Sequence, residues 1–184
     1  MYDPSDRECA GGDPDEASMR ETWEMVKLTL EALMTGIFMI YLLRAALEDH
    51  RTQLVRRYFW WIAGGAGFIL LFLRRGWEVA ILMELLLYGL LQFIGFSKAY
   101  GLADCHAFFT CGIFLMACGG SLKTCLWHML ITFVLLGATQ LMKKNVNRKG
   151  NLKKPVALIP FLSAGFLLTI GILMTNAGRI LKIS

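Results

Sequence analysis

The sequence predicts an all-α polytopic membrane bundle of about six transmembrane helices. Its 184 residues are 56% hydrophobic and have a mean hydropathy of +0.52, whereas soluble domains contain roughly 45–50% apolar residues. The apolar residues are also segregated, because from Lys27 onward they form blocks separated by short charged segments. Lipid is the solvent in which such blocks are stable.

The first 26 residues differ in composition from the remainder of the chain. Residues 1–26 hold eight of the 14 acidic residues and almost no aliphatic runs. We therefore expect an acidic, disordered tail over 1–26 and a membrane-embedded domain over 27–184. A helix is expected to begin near Ser18, since Ser18 and Glu21 have the spacing of a capping box. The acidic N-terminus lacks the basic residues of a cleavable signal peptide.

Six apolar blocks approach the length of about 20 residues that a helix needs to cross a bilayer. The blocks are 28–47, 58–73, 79–96, 105–120, 122–142 and 156–176. Gly119, Gly120 and Ser121 separate the fourth block from the fifth and indicate a tight helical hairpin. One long kinked span over 105–142 is the alternative.

The distribution of basic residues predicts the orientation of the bundle. Six spans place both termini on one side of the membrane and three loops on the other. Counted with Arg44, the loop side carries 11 basic residues, and the terminal side carries eight. The positive-inside rule therefore places the loops in the cytoplasm and the N-terminus outside. The net charge of +5 reflects this topology, and no nucleic-acid partner is predicted.

Two aspartates at the ends of predicted spans are the candidates for chemistry. Asp49 follows the first block and Asp104 precedes the fourth. Charged residues near membrane depth are energetically costly, and where they occur they are typically paired or functional. Because two spans separate them, both carboxyls lie on the same, cytoplasmic side. One ionised and one protonated carboxyl can activate water to hydrolyse a peptide bond. The small residues Gly101 and Ala103 favour close approach of a substrate backbone to Asp104.

Three segments carry a resemblance to a known family. Residues 101–104 (Gly-Leu-Ala-Asp) resemble the Gly-x-Gly-Asp motif of the prepilin peptidase and preflagellin peptidase family of intramembrane aspartyl proteases. Residues 47–52 (LEDHRT) are similar to the Asp-x-Arg-[Thr/Lys] stretch around that family's first catalytic aspartate. Residues 154–165, which include Pro155 and Pro160, resemble its last, proline-containing helix.

The resemblance implies that Asp49 and Asp104 are the catalytic residues of an aspartic endopeptidase. It further implies cleavage of a short basic leader from type IV prepilin-like precursors at the cytoplasmic face of the bacterial cytoplasmic membrane. A prepilin-like protein and membrane lipid are then the expected partners, with no cofactor and no metal, and the oligomeric state is open. The chain departs from the family where Ala103 replaces the second glycine and where no proline follows Asp49.

Other interpretations of these residues stay open. A lone aspartate at a helix end is typically a cap, which would suit a non-catalytic component of a pilus or secretion assembly, or a small transporter subunit. Glu84, inside the third block, is expected to be satisfied structurally, with Gln92 as one possible partner. Cys105 and His106 suggest a thiol protease, but adjacent helical residues point about 100° apart. None of the five cysteines forms a Cys-x-x-Cys pair, so no zinc site is predicted.

Overall fold

The computed structural model describes residues 14–52, 57–146 and 157–180, and within these ranges the chain is helical and contains no strand. The predicted all-α membrane fold is thereby confirmed. The elements are α1 (Pro14–Thr52), α2 (Arg57–Arg75), α3 (Val79–Leu90), a π-helical segment (Leu91–Phe96), α4 (Ser97–Tyr100), α5 (Leu102–Ala117), α6 (Leu122–Val146) and α7 (Ile159–Ile180).

Three helical stretches are long and apolar enough to cross a membrane. They are Ser18–Arg51, Val79–Ala99 and Leu122–Met142. Each of the six predicted blocks falls on a helix. Within the described residues, half of the predicted spans meet the length and composition requirement. These three stretches are compatible with the predicted membrane bundle.

The short helix α5 forms the centre of the bundle. It has 16 residues, and 11 of them are buried. It packs against α2, α3, α6 and α7. Because protein rather than lipid surrounds α5, the thickness of the hydrocarbon does not set its length. This explains why its apolar run is shorter than that of a lipid-facing helix.

Small residues and aromatic rings determine how closely the helices approach α5. A Cβ added to Gly67 of α2 would come within 2.9 Å of the Phe114 ring, so glycine at this position permits the close contact between α2 and α5. Phe114 also stacks on Phe38 of α1 with ring centroids 3.8 Å apart. Phe38 in turn meets Phe166 of α7 edge to face at 5.3 Å. These contacts join α1, α2 and α7 around the central helix.

Two helix boundaries bear on the sequence predictions. Helix α5 ends at Ala117 and α6 begins at Leu122, and Gly119 has a φ of +89° in the connection. The predicted hairpin is therefore confirmed, and the single kinked span is wrong, because glycine accommodates the left-handed turn that reverses the chain.

Helix α1 begins at Pro14, ahead of Ser18, since proline is favoured in the first turn of a helix. Residues 14–26 of the predicted tail are thus helical, and residues 1–13 lie outside the described ranges.

Candidate active site

Asp49 lies in the last turn of α1, where it meets the start of α7. Its side chain is buried, and Oδ2 accepts a hydrogen bond from the backbone N–H of Ile159 at 3.1 Å. Ile159 is the first residue of α7, so this N–H has no carbonyl partner inside its own helix. Asp49 therefore caps a helix to which it does not belong, and the cap holds the end of α1 against the start of α7.

Ser163 strengthens the same junction one turn farther along α7. Its Oγ lies 2.9 Å from the carbonyl oxygen of Ile159 and 3.3 Å from that of Leu42 in α1. A serine hydroxyl has one proton and can donate it to either carbonyl. The bond to Ile159 stays within α7, whereas the buried bond to Leu42 joins α7 to α1 close to Asp49.

Asp104 lies in the first turn of α5, directly after a break in the chain. Gly101, between α4 and α5, has a φ of +90°, a conformation that glycine adopts readily and other residues rarely. Asp104 is half-buried. Among the described residues its carboxyl has neither an ion pair nor a hydrogen-bond partner. The turn at Gly101 therefore presents an unneutralised carboxyl at the end of the central helix.

The neighbouring residues hold this end of α5 in place. The Cys105 thiol donates a hydrogen bond to the carbonyl oxygen of Gln92 at 3.3 Å, within the π-helical segment. The Tyr88 hydroxyl donates to the carbonyl oxygen of Phe108 at 3.2 Å. π-Helical turns commonly occur at functional sites, where they alter the regular backbone bonding. Here the π-helical segment supplies the carbonyl that anchors the residue next to Asp104.

The two aspartates interact electrostatically. Burial, and secondarily the negative charge of Asp49, raise the pKa of Asp104 from 3.8 to about 6. This carboxyl lies just before the fourth predicted span, 105–120, and so at the end of the apolar segment. An acid with this pKa is half protonated at about pH 6, whereas Asp49 accepts the N–H of Ile159. The site thus contains two coupled carboxyls in different environments, which is the arrangement that general acid–base chemistry uses.

The remaining motif residues lie around Asp104 and the start of α7. Gly101 is exposed and Ala103 is half-buried, so little side-chain volume covers the backbone just before Asp104. Pro160 is half-buried in the first turn of α7, next to Ile159. Pro155 lies outside the described residues, and its predicted role stays a prediction.

Two site contacts were absent from the sequence prediction. Ser163 sits in an apolar helix, and serine there commonly bonds the carbonyl four residues earlier, so the sequence carries no signal for its bond to Leu42. The hydrogen bond from Ile159 to Asp49 joins residues 110 positions apart. Its only local signal is that an aspartate often caps a helix start, and this does not tell which helix is capped.

The thiol protease interpretation loses support in this arrangement. The Cys105 thiol is directed to Gln92, whereas Nδ1 of His106 donates to the carbonyl oxygen of Leu102 at 2.6 Å. The His106 ring packs against Trp61 and Phe93, at centroid distances of 5.4 and 5.0 Å. Neither group serves as nucleophile or base to the other. Within the described ranges, no cluster of three or more His, Cys, Asp or Glu residues is suited to a metal ion.

The acids at the opposite end of the bundle are satisfied by other groups. Oε2 of Glu84 accepts a hydrogen bond from the backbone N–H of Leu122 at 2.6 Å, which confirms the predicted structural role of Glu84. Glu31 is buried and forms an ion pair with Arg74 of α2. Asp104 differs from these two acids, because its carboxyl has no ion pair or hydrogen bond with a residue that the structure describes. Comparison of the chain with protein-family models, with curated proteins and with solved structures finds no match.

Proposed function

We propose that this protein is an aspartic endopeptidase of the prepilin peptidase type. It cleaves the short basic leader from type IV prepilin-like precursors at the cytoplasmic face of the bacterial membrane. One observation carries the proposal: Asp49 and Asp104 come from different helices, and the negative charge of Asp49 is the second cause, after burial, of the raised pKa of Asp104. This electrostatic effect of Asp49 on Asp104 supports the family resemblance of the segments in which the two residues occur.

The environments of the two carboxyls suggest how they divide the chemistry. Asp49, which accepts the N–H of Ile159, is suited to the ionised role and takes a proton from the attacking water. Asp104, with its pKa raised to about 6, is suited to the protonated role. It donates to the carbonyl oxygen of the scissile peptide and later to the leaving amine.

The surroundings of the carboxyls suit an extended, basic peptide. Gly101 is exposed and Ala103 is small, so a substrate backbone can approach Asp104 without displacing side chains. Neither acid forms an ion pair with a residue that the structure describes, and a basic leader offers a cationic partner. The basic residues of the predicted loops support a cytoplasmic location for this end of the bundle, under the positive-inside rule.

A non-catalytic role is the second candidate, and the hydrogen bond between Asp49 and Ile159 favours it. A capping aspartate stabilises a helix without any chemistry, as expected for a structural component of a pilus or secretion assembly. The two candidates differ in what an amide does at position 49. Asparagine keeps an oxygen that accepts the Ile159 N–H, but it cannot accept a proton from water.

The deciding experiment is processing of a tagged prepilin-like protein encoded near this gene. The precursor is co-expressed with the wild type, Asp49→Asn, Asp104→Asn or Glu78→Gln, and cleavage is followed by gel shift. Glu78→Gln is the matched control, because Glu78 is an exposed acid outside the site. Cleavage by the wild type and the control but by neither aspartate variant supports the peptidase. Cleavage by either aspartate variant at the wild-type rate would overturn it, as would failure of the wild type with every precursor of the same genome.

A further inference from the structure

A cleft between α6 and α7 lies apart from the two aspartates. Its volume is about 510 Å³, and its lining includes Lys123, Trp127 and Ile131 of α6 and Ile172 and Leu173 of α7. None of these residues takes part in the contacts around Asp49 and Asp104. The cleft therefore needs an explanation independent of the proposed peptidase activity.

The cleft is polar at one end and apolar along its length. Lys123 is the second residue of α6, and Ile131 lies eight residues later, roughly 12 Å farther along the helix axis. Trp127 lies between them, and tryptophan is enriched where membrane meets water. The cleft thus begins at a cation near a helix end and continues between apolar side chains at membrane depth.

Lys123 is distinguished by the absence of a partner. It is exposed and forms neither an ion pair nor a hydrogen bond with any residue that the structure describes. A second cleft, of about 610 Å³ between α1 and α2, contains Lys27 and Arg74. Those two cations are already paired with Glu24 and Glu31. Unlike the cleft between α1 and α2, the cleft between α6 and α7 combines apolar walls with a positive charge that is unpaired among the described residues.

We propose that this cleft binds one anionic phospholipid. The lipid phosphate contacts the Lys123 ammonium, and an acyl chain lies along Trp127, Ile131 and Leu173. An anionic headgroup is favoured because a zwitterionic headgroup carries its own cation, which Lys123 repels. A lipid is favoured over a free phosphate ion because most of the lining is apolar and benefits from contact with hydrocarbon.

Native mass spectrometry of the full-length protein in mild detergent tests the proposal. Phosphatidylglycerol and phosphatidylcholine with identical acyl chains are added in turn, and the bound lipid is counted. We expect the wild type to retain phosphatidylglycerol about ten-fold more tightly, which is the preference that about 1.4 kcal/mol gives. Lys123→Gln should remove this preference, whereas Lys98→Gln, on the exposed surface of α4, should leave it unchanged.

A second pair of variants tests the apolar part of the cleft. Ile172→Trp fills the space for the acyl chain and should reduce retention of both lipids. Leu168→Trp adds the same side chain to an exposed position of α7 outside the lining and should have no effect. Equal retention of the two lipids by the wild type, or full retention by Lys123→Gln, would overturn the proposal. Displacement of the lipid by inorganic phosphate alone would also overturn it, since the acyl chain would then contribute nothing.

Discussion

Asp49 and Glu84 each accept a hydrogen bond from the first residue of a helix to which they do not belong. Asp49 bonds Ile159 of α7 at 3.1 Å, and Glu84 bonds Leu122 of α6 at 2.6 Å. The two acids thus make equivalent contacts at opposite ends of the bundle. They differ in their neighbours. The charge of Asp49 acts on Asp104, whereas Glu84 is not among the groups that raise the pKa of Asp104.

This comparison separates a structural acid from a candidate catalytic one. A single capping carboxylate needs only an accepting oxygen, which an amide also supplies. A pair of coupled carboxyls has a property that neither residue has alone, since the charge of one determines the protonation of the other. The capping contact of Asp49 therefore does not argue against catalysis, and the pairing with Asp104 is the feature to test.

The largest expected difference is in processing activity. Asp49→Asn should lower the rate of prepilin cleavage by about 10²-fold or more, because general acid–base groups contribute on the order of 10²–10⁴-fold. Glu84→Gln keeps an equivalent cap and should retain the wild-type rate. The rates are compared in membranes that contain equal amounts of each variant. Similar losses in the two variants would show that the cap, and not the carboxylate pair, supports activity.

The second prediction compares two glycines at opposite ends of the bundle. Gly101 and Gly119 have φ values of +90° and +89°, and an added Cβ meets nothing within 4 Å at either position. Alanine at each should therefore destabilise the fold by a similar amount, about 1–2 kcal/mol, through backbone strain alone. Unfolding of the purified variants, followed by circular dichroism, measures this loss.

Activity should distinguish the two alanine variants. Relief of strain at Gly101 shifts the first turn of α5, which carries Asp104, and displacements of about 1 Å in a catalytic group are costly. Gly101→Ala should lose about ten-fold in cleavage rate beyond its effect on stability. The fraction of Gly119→Ala that remains folded should cleave at the wild-type rate. An equal loss of rate in both variants would indicate that general destabilisation, rather than the position of Asp104, limits the reaction.

The contrast between local and distant contacts explains what the sequence alone could predict. Apolar blocks, the glycines between α5 and α6, and the parity of spans between Asp49 and Asp104 are local or countable features. They led to the helices, the hairpin and the shared side of the two acids. The cap from Ile159 and the ion pair between Glu31 and Arg74 depend on how separate helices pack, and no local pattern specifies that packing.

The surroundings of each apolar block could not be predicted for a related physical reason. An apolar block can form a helix that faces hydrocarbon. Helix α5 is instead enclosed by its neighbours, and an enclosed helix is apolar because it lies in the protein core. Composition does not distinguish these two environments, since core side chains and lipid-facing side chains are both apolar.

The third prediction measures the capping contacts themselves. Asp49→Ala removes the acceptor of the Ile159 N–H, whereas Asp49→Asn retains one, so Ala should be less stable than Asn by about 1 kcal/mol. Glu84→Ala and Glu84→Gln should differ by a similar amount, because the geometry is equivalent. Unfolding in mixed detergent micelles provides the measurement. If the alanine and amide variants at a position are equally stable, the contact there contributes nothing to the fold.

The smallest expected effect is a change in the titration of Asp104. Infrared difference spectra, wild type minus Asp104→Asn, isolate its protonated carboxyl band, which should disappear with a midpoint near pH 6, the raised pKa of Asp104. Asp49→Asn removes the nearby negative charge and should lower this pKa. Burial is the larger cause of the rise from 3.8, so the midpoint should move less than halfway back. Glu84→Gln should leave it unchanged.

The same pKa determines how pH affects activity and stability. Because the folded protein holds the proton of Asp104 more tightly than the unfolded chain does, ionisation of this group destabilises the fold as pH rises from about 4 through about 6. Asp104→Asn, which cannot ionise, should remove that part of the pH dependence. Cleavage by the wild type should decline as pH rises through about 6, because Asp104 then loses the proton that it donates. A rate independent of pH between 5 and 8, together with a normal titration of Asp104, would leave its carboxyl without a role in the chemistry.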